Sequence, residues 1–472
     1  LIGMLCGLFS VEKMLPQSQR IGDIPASKDA YRDVMRIALP SVMEMVLVSL
    51  VGSVDTMMVG GLGPEALAAV GLTGQPRMLV LSIFFALNIG VTAVIARRKG
   101  EGRQDKANEA LRNALVIIVL LSIVVMAICL PLAKPLMRLA GAQDDTIELA
   151  RTYFLIVNAI LPLNGLMLCV NAAQRGVGNT RIALYVNIVS NAVNIMLNWL
   201  LINGNLGFPR LGVAGAAIAT VIGFVMGFFL SVYSILSKGS VGRFLHVNLR
   251  HSDWRLKKDS LSAIVKVGGN AVFEQIALRI GFFAYARLVA DLGTMAFAAH
   301  QICVQFLNIS FNFGDGIGVA GTSLVGQMLG KNRPDLAMIY GKISQRMAML
   351  AALFLASVIV LLRHPFISLF TDDAVVLAMA TQLMFMVAAF QPLQMSSVVI
   401  SGALRGAGDT RFVAAVMLLC VTVIRPTLAF ASIHFLGLGL MGAWGASIID
   451  MSVRLVCVYR RFHGGKWVEI KV

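Results

Sequence analysis

The sequence predicts an all-α membrane protein with twelve transmembrane helices in two parallel-repeat lobes of six. Three observations carry this. The 472 residues are 58% hydrophobic and only 14% charged, whereas soluble domains carry about 25% charged residues. The apolar residues gather into runs of about 20, enough to cross some 30 Å of hydrocarbon as helix. The two halves of the chain also align at a constant offset of 230 residues. A soluble fold of this composition would lack polar residues for its surface, while a lipid-facing helix needs none. A soluble enzyme is excluded, and no catalytic motif, metal cluster or nucleotide loop is evident.

The spans follow in order. The apolar segments are roughly 37–59, 77–96, 111–132, 150–171, 182–203, 211–236, 264–290, 303–329, 346–362, 377–400, 412–435 and 439–459. Most of the 40 basic residues lie before the first span, in the even-numbered connections and after the last. The loop after span two holds Arg97, Arg98, Lys99, Arg103, Lys106 and Arg112. The central loop holds Lys238, Arg243, Arg250, Arg255, Lys257, Lys258 and Lys266. The C-terminal end holds Arg454, Arg460, Arg461, Lys466 and Lys471. The odd-numbered connections hold only Lys134, Arg138, Arg210 and Arg363. This asymmetry places both termini and the even connections in the cytoplasm, which requires an even number of spans and so supports twelve. The expected organisation is a cytoplasmic segment 1–36, an N-lobe 37–236, a linker 237–260, a C-lobe 261–460 and a tail 461–472. The chain starts at Leu1 rather than Met, and no function is read into its first dozen residues.

The net charge of +16 would suit nucleic acid or an anionic membrane surface. No basic run is interleaved with stacking aromatics, so the bilayer is the expected partner and nucleic acid is not. The six cysteines, among them Cys6, show no ligand spacing and read as packing residues.

The repeat is visible in paired motifs. Gly63 in LGPEALAAV matches Gly293 in LGTMAFAAH, and RGVGNTR at 175–181 matches RGAGDTR at 405–411. Pro135 matches Pro365, and Pro162 matches Pro392. Near the end of each half the offset becomes 227, with GVAGAA at 212–217 against GLMGAW at 439–444. Halves of six spans start on the same side of the membrane, which makes the repeats parallel, a plan common among alternating-access carriers.

Acids inside spans are costly and are site candidates by default. They are Glu44 and Asp55 in span one, Glu274 in span seven, Asp315 in span eight and Asp450 in span twelve. Asp55 follows Pro40 by fifteen residues, about 22 Å of helix, which puts it in the outer half of the bilayer, where it would load a cation from outside. Its repeat mate is Tyr285, so repeat symmetry does not maintain it. The bland alternative is a carboxylate locked at a helix end. Glu44 and Glu274 are repeat mates near the cytoplasmic mouth. They would attract a cationic substrate there, or else, as repeated residues, they keep a repeated structure by pairing with backbone or Arg groups near the loops. Asn194 and Asn198 share one face of span five, and interhelical glue is one reading of such a pair. Arg279, Arg287 and Asp315 are candidate structural or gating charges, as are Arg425 and Asp450. Those last two sit at similar depth and would neutralise each other, either permanently or as a pair that breaks during cycling. His300 reads as a capping or packing residue, and the 25 methionines suit an adaptable lining.

Taken in order, these motifs resemble the multidrug and toxic compound extrusion (MATE) family over about residues 36–460. The resemblance rests on VDTMMVGGLGPEALAAVG, FALNIGVTAVIARRKGEG, RGVGNTR, NIMLNWLLINGNLGFPRLGVAGAAIAT, GTMAFAAHQI, LVGQMLGKNRP and SGALRGAGDTR. It implies export of amphipathic or cationic small molecules by alternating access, in exchange for H⁺ or Na⁺ and with no other cofactor. It also implies a bacterial inner-membrane location; a monomer is expected. An N-lobe ion-coupling site would comprise Asp55, Asn194, Asn198, Tyr153 and Thr220. Some branches carry Asp where this chain has Asn198, which weakens Na⁺ at Asp55 and favours H⁺. Acids that the NorM branch carries in the C-lobe are Leu278 and Gln394 here, so the chain looks closer to the DinF-like group. A flippase for lipid-linked or polysaccharide precursors is the alternative on the same fold. An uncoupled channel or sensor is the alternative from another class.

Overall fold

The computed structural model describes residues 10–237, 244–248 and 254–470, and among these it contains helices and no strand. Lys238, Arg243 and Arg250 of the expected linker, with Cys6 and Lys471, lie outside the described residues. The first repeat comprises α1 (Ser27–Gly60), α2 (Pro64–Gly100), α3 (Gln104–Cys129), a short α4 (Ala133–Leu139), α5 (Ile147–Asn158), α6 (Leu161–Gly176), α7 (Thr180–Asn203) and α8 (Gly212–Leu236). The second comprises α9 (Lys258–Ala290), α10 (Thr294–Gly330), α11 (Pro334–Leu361), a short α12 (Arg363–Ser368), α13 (Ala374–Gly406), α14 (Thr410–Met417), α15 (Arg425–His434) and α16 (Gly439–His463). A π-helical stretch, Leu418–Ile424, joins α14 to α15, so the two form one long run.

The order of elements matches the twelve expected spans, with two differences. The helices are longer than the apolar runs, because intrahelical hydrogen bonding continues into the polar ends. Span four is broken: α5 and α6 meet at a 54° bend, just before Pro162 at the start of α6. Proline lacks the N–H that would continue the ladder. Its repeat mate Pro392 lies inside the unbroken α13. The short helices α4 and α12 are repeat equivalents and begin near Pro135 and Pro365.

The chain forms two compact units, residues 43–99 with 103–268, and residues 1–42 with 100–102 and 269–472. These units cut α1 after Val42 and α9 after Gly268, whereas expectation gave the spans 37–59 and 264–290 each whole to one lobe. Local bonds account for the cuts. In the second unit, Asp335 accepts from the Ile21 amide at 3.1 Å and Tyr340 donates to Asp33 at 2.9 Å. Val11, Met14 and Leu15 are buried in the same core as Trp467. In the first unit, Ser260 donates to Glu109 at 2.8 Å and Asn113 donates to the Lys257 carbonyl at 3.1 Å. These hold the start of α9 against α3.

The repeat extends to backbone detail. Gly63 and Gly293 turn the chain at φ +114° and +102°, a region open to glycine and poorly accessible to other residues. Thr92 donates to the Ala172 carbonyl at 3.1 Å, and its mate Thr322 donates to that of Gly402 at 2.8 Å. Large apolar side chains such as Met57, Phe283, Phe354 and Leu361 are exposed on the helices. Such a surface suits a multi-pass membrane protein in contact with acyl chains.

Candidate functional site

The first unit gathers polar side chains from α1, α7 and α8 at the far end of α1. Asp55 is half-buried, one and a half turns before the helix ends at Gly60. Asn194 and Asn198 lie one turn apart on α7, and both are buried. Asn198 donates its amide N–H to Asp55 Oδ1 at 2.8 Å. The surrounding hydrogen bonds orient the Asn194 amide with its nitrogen toward the carboxylate, 2.8 Å from Oδ1 and 3.3 Å from Oδ2. Its oxygen then accepts from Thr220, at 3.2 Å from the backbone N–H and 3.3 Å from the hydroxyl. Two amides from one helix therefore clasp a carboxylate on another, and α8 buttresses the first amide.

This closeness depends on Gly223. A Cβ there would lie 2.9 Å from the Ser190 carbonyl oxygen and 3.2 Å from Asn194 Cβ. The bare glycine lets α8 pack against α7, and Ser190 donates back to the Gly223 carbonyl at 2.7 Å.

Tyr153 is buried in a cluster with Val59, Val157, Ile202 and Ala216. Among the described residues it makes no hydrogen bond to Asp55; its place is in the packing around the site. Arg77 on α2 is near enough to act electrostatically on Asp55, and its guanidinium lies 5.4 Å from the centre of the Phe224 ring. Arg77 lies at the first residue of the apolar run 77–96 and is not among the candidates read from the sequence. A single positive residue at the far end of span two was the signal available.

Glu44 and Glu274 are not at an open mouth. Glu44 is 1% exposed and Glu274 fully buried. Glu44 pairs with Arg175 and accepts from Asn187 at 2.8 Å. Glu274 pairs with Arg405. Both arginines belong to the RG motifs, and both pairs repeat at the same offset. A buried carboxylate closed by a guanidinium does not recruit a free cation, so the expectation of cation attraction at a cleft mouth gives way to the arginine-paired alternative.

The remaining charges divide. Arg287 and Asp291 form an exposed pair at 3.4 Å, Arg279 is half-buried on α9, and Asp315 acts electrostatically on Arg405. Arg425 and Asp450 meet as expected, with Nη2 2.6 Å and Nε 2.8 Å from Oδ2. Arg454 also reaches that oxygen, at 2.8 Å. It was expected among the cytoplasmic basic residues; it is buried instead, because it lies one turn beyond Asp450 on the same face of α16. Among the described residues no group of histidine, cysteine and acid has metal-binding geometry.

The comparisons agree with this architecture. The MatE family model matches residues 40–200 and again 271–431. The "Probable multidrug resistance protein NorM" of Thermotoga maritima is 28% identical over 439 residues, covering 92% of this chain and 93% of that protein. The "Multidrug resistance protein PmpM" of Pseudomonas aeruginosa is 28% identical over 455 residues, covering 91% and 92%. A solved MOP superfamily transporter from Pyrococcus furiosus superposes with a TM-score of 0.87 at 22% identity, covering 94% of this chain and 97% of that one. An outward-facing multidrug resistance MATE transporter gives 0.85 at 23% identity, covering 93% and 97%. With NorM proteins among these relatives, the expected nearness to the DinF-like group draws no support. The chain belongs to the MatE family, the multidrug and toxic compound extrusion transporters, and is a membrane transport protein rather than an enzyme.

Proposed function

We propose that this transporter exports amphipathic, often cationic, organic molecules in exchange for an inward cation loaded at Asp55, and that the cation is H⁺. The observation that carries the reading is the clasp on Asp55. Asn198 turns its nitrogen to the carboxylate at 2.8 Å, and the Asn194 amide satisfies its own neighbours when it is assigned the same way round. That arrangement suits an ionised carboxylate that exchanges with a proton. It is poor for Na⁺, which favours several hard oxygen ligands. Protonation of Asp55 would remove part of an acceptor that two donors share. At least one amide would be released, loosening α7 from α1. Proline at position 40 weakens the α1 ladder, so the helix can answer such a change by bending.

Export of drugs is supported by the multidrug resistance proteins NorM and PmpM among the relatives. Basic residues concentrated in the even connections support an inner-membrane protein with both termini in the cytoplasm. A monomer suffices, since the clasp is complete within one chain. The test is efflux from proteoliposomes under separately imposed pH and Na⁺ gradients. An inward pH gradient is expected to drive efflux and a Na⁺ gradient alone to leave it at background; the reverse would overturn H⁺ coupling. Counterflow of labelled substrate is expected too, and its absence would indicate a pore rather than a carrier.

A further inference from the structure

We infer that the second unit holds a binding site for a small monovalent anion, of the halide class, at the repeat position where the first unit holds Asp55. The inference rests on neither drug export nor coupling at Asp55. The repeat mate of Asp55 is Tyr285, that of Thr220 is Ser447, and Arg425 adjoins Ile424, the mate of Asn194. A negative centre in the first unit thus corresponds to a positive one in the second.

The charge balance is explicit. Arg425 and Arg454 both bond Asp450 Oδ2, and the side chains are 6%, 6% and 0% exposed. Two guanidinium groups share one carboxylate, which leaves a formal charge of +1 in the interior of a membrane protein. An excess charge there is costly unless compensated.

Several surrounding polar atoms lack a partner: the Trp444 indole N–H and the Tyr285 hydroxyl can donate, whereas His300 Nδ1 donates in one tautomer and accepts in the other. The Arg425 guanidinium lies 5.7 Å from the Tyr285 ring centre and 5.4 Å from that of Phe282. His300 is 5.7 Å from Tyr285 and 5.6 Å from Trp444, ring centre to ring centre. Tyr285 and His300 are each 5% exposed and Trp444 1%. The Tyr285 hydroxyl, His300 Nδ1 and Trp444 Nε1 have no hydrogen-bond partner within bonding geometry among the described residues. Ser447, whose own hydroxyl donates to the Ala443 carbonyl at 3.4 Å, is placed to accept weakly from the Tyr285 hydroxyl, so the Trp444 N–H is the donor most in need of an acceptor. An indole N–H can only donate. Asp450 Oδ1 is also unpartnered, so the carboxylate does not reach these donors. Water would satisfy the donors but leave the charge; an anion answers both. Burial this complete favours an ion of a few ångströms over an organic acid.

The test compares thermal unfolding of the purified full-length chain in sodium bromide and in sodium gluconate at equal ionic strength. Wild type is expected to show a saturable rise in unfolding temperature with bromide. Arg425→Gln keeps Asp450 paired with Arg454 and brings the formal charge to zero, and it is expected to abolish the bromide effect. Tyr285→Phe removes one donor while keeping the ring. It should raise the half-saturating bromide concentration about tenfold, the worth of one hydrogen bond to a charged group. Identical unfolding of wild type in both salts would overturn the site, as would an equal saturable shift in Arg425→Gln. If Arg425→Gln does not fold, the tyrosine variant decides, and an unchanged half-saturation overturns the proposal.

Discussion

At the scale of residues, the intramembrane acids serve different ends, and their neighbours separate them. Asp55 is clasped by neutral amides rather than closed by a guanidinium. Glu44 and Glu274 are each neutralised by an arginine at a repeated position, which suits a scaffold. Removing one partner of such a pair strands the other charge, at a cost of about 3–5 kcal/mol. Arg405→Met should therefore lower the unfolding temperature sharply. The double variant Arg405→Met with Glu274→Leu should recover most of the loss, because apolar replacement of a whole buried pair is near neutral. Unfolding in detergent, followed by circular dichroism, measures both. A double variant no more stable than the single one would show that the pair does more than neutralise itself.

At the scale of elements, the close packing of α7 and α8 decides whether Asn194 can reach Asp55. Gly223→Ala places a methyl group against the Ser190 carbonyl and Asn194 Cβ, and overpacking of this kind costs about 1–3 kcal/mol. The expected result is lower thermal stability together with weaker efflux. Gly74 on α2 provides the contrast, since a Cβ there would meet nothing within 4 Å. Gly74→Ala should raise stability by about 0.5–1 kcal/mol through helix propensity. Equal effects of the two alanines would argue that helix contact at Gly223 is unimportant.

At the scale of the whole molecule, the plan is one six-span module written twice. Much of this was legible, because span length and repeat offset are properties of the linear sequence. Asp55, Asn194 and Asn198 were legible as a group from the face the two asparagines share on α7 and from the family resemblance. The fate of Glu44 and Glu274 was not, since their arginines lie 131 positions away and only folding shows the distance closed. Arg454 was misplaced because a charge near the end of an apolar run reads as a loop residue, although helix geometry turns it inward to Asp450. Tyr285, His300 and Trp444 come from three helices with no spacing that announces them. The halves diverge where the proposed chemistry lies, carboxylate in one and excess guanidinium in the other, and agree where they hold structure. The most direct test of the account is the rate of substrate efflux driven by an inward pH gradient in proteoliposomes bearing equal amounts of wild type and Asp55→Asn. The account predicts that the variant falls to the protein-free background, at least tenfold below wild type; a wild-type rate in Asp55→Asn would contradict it.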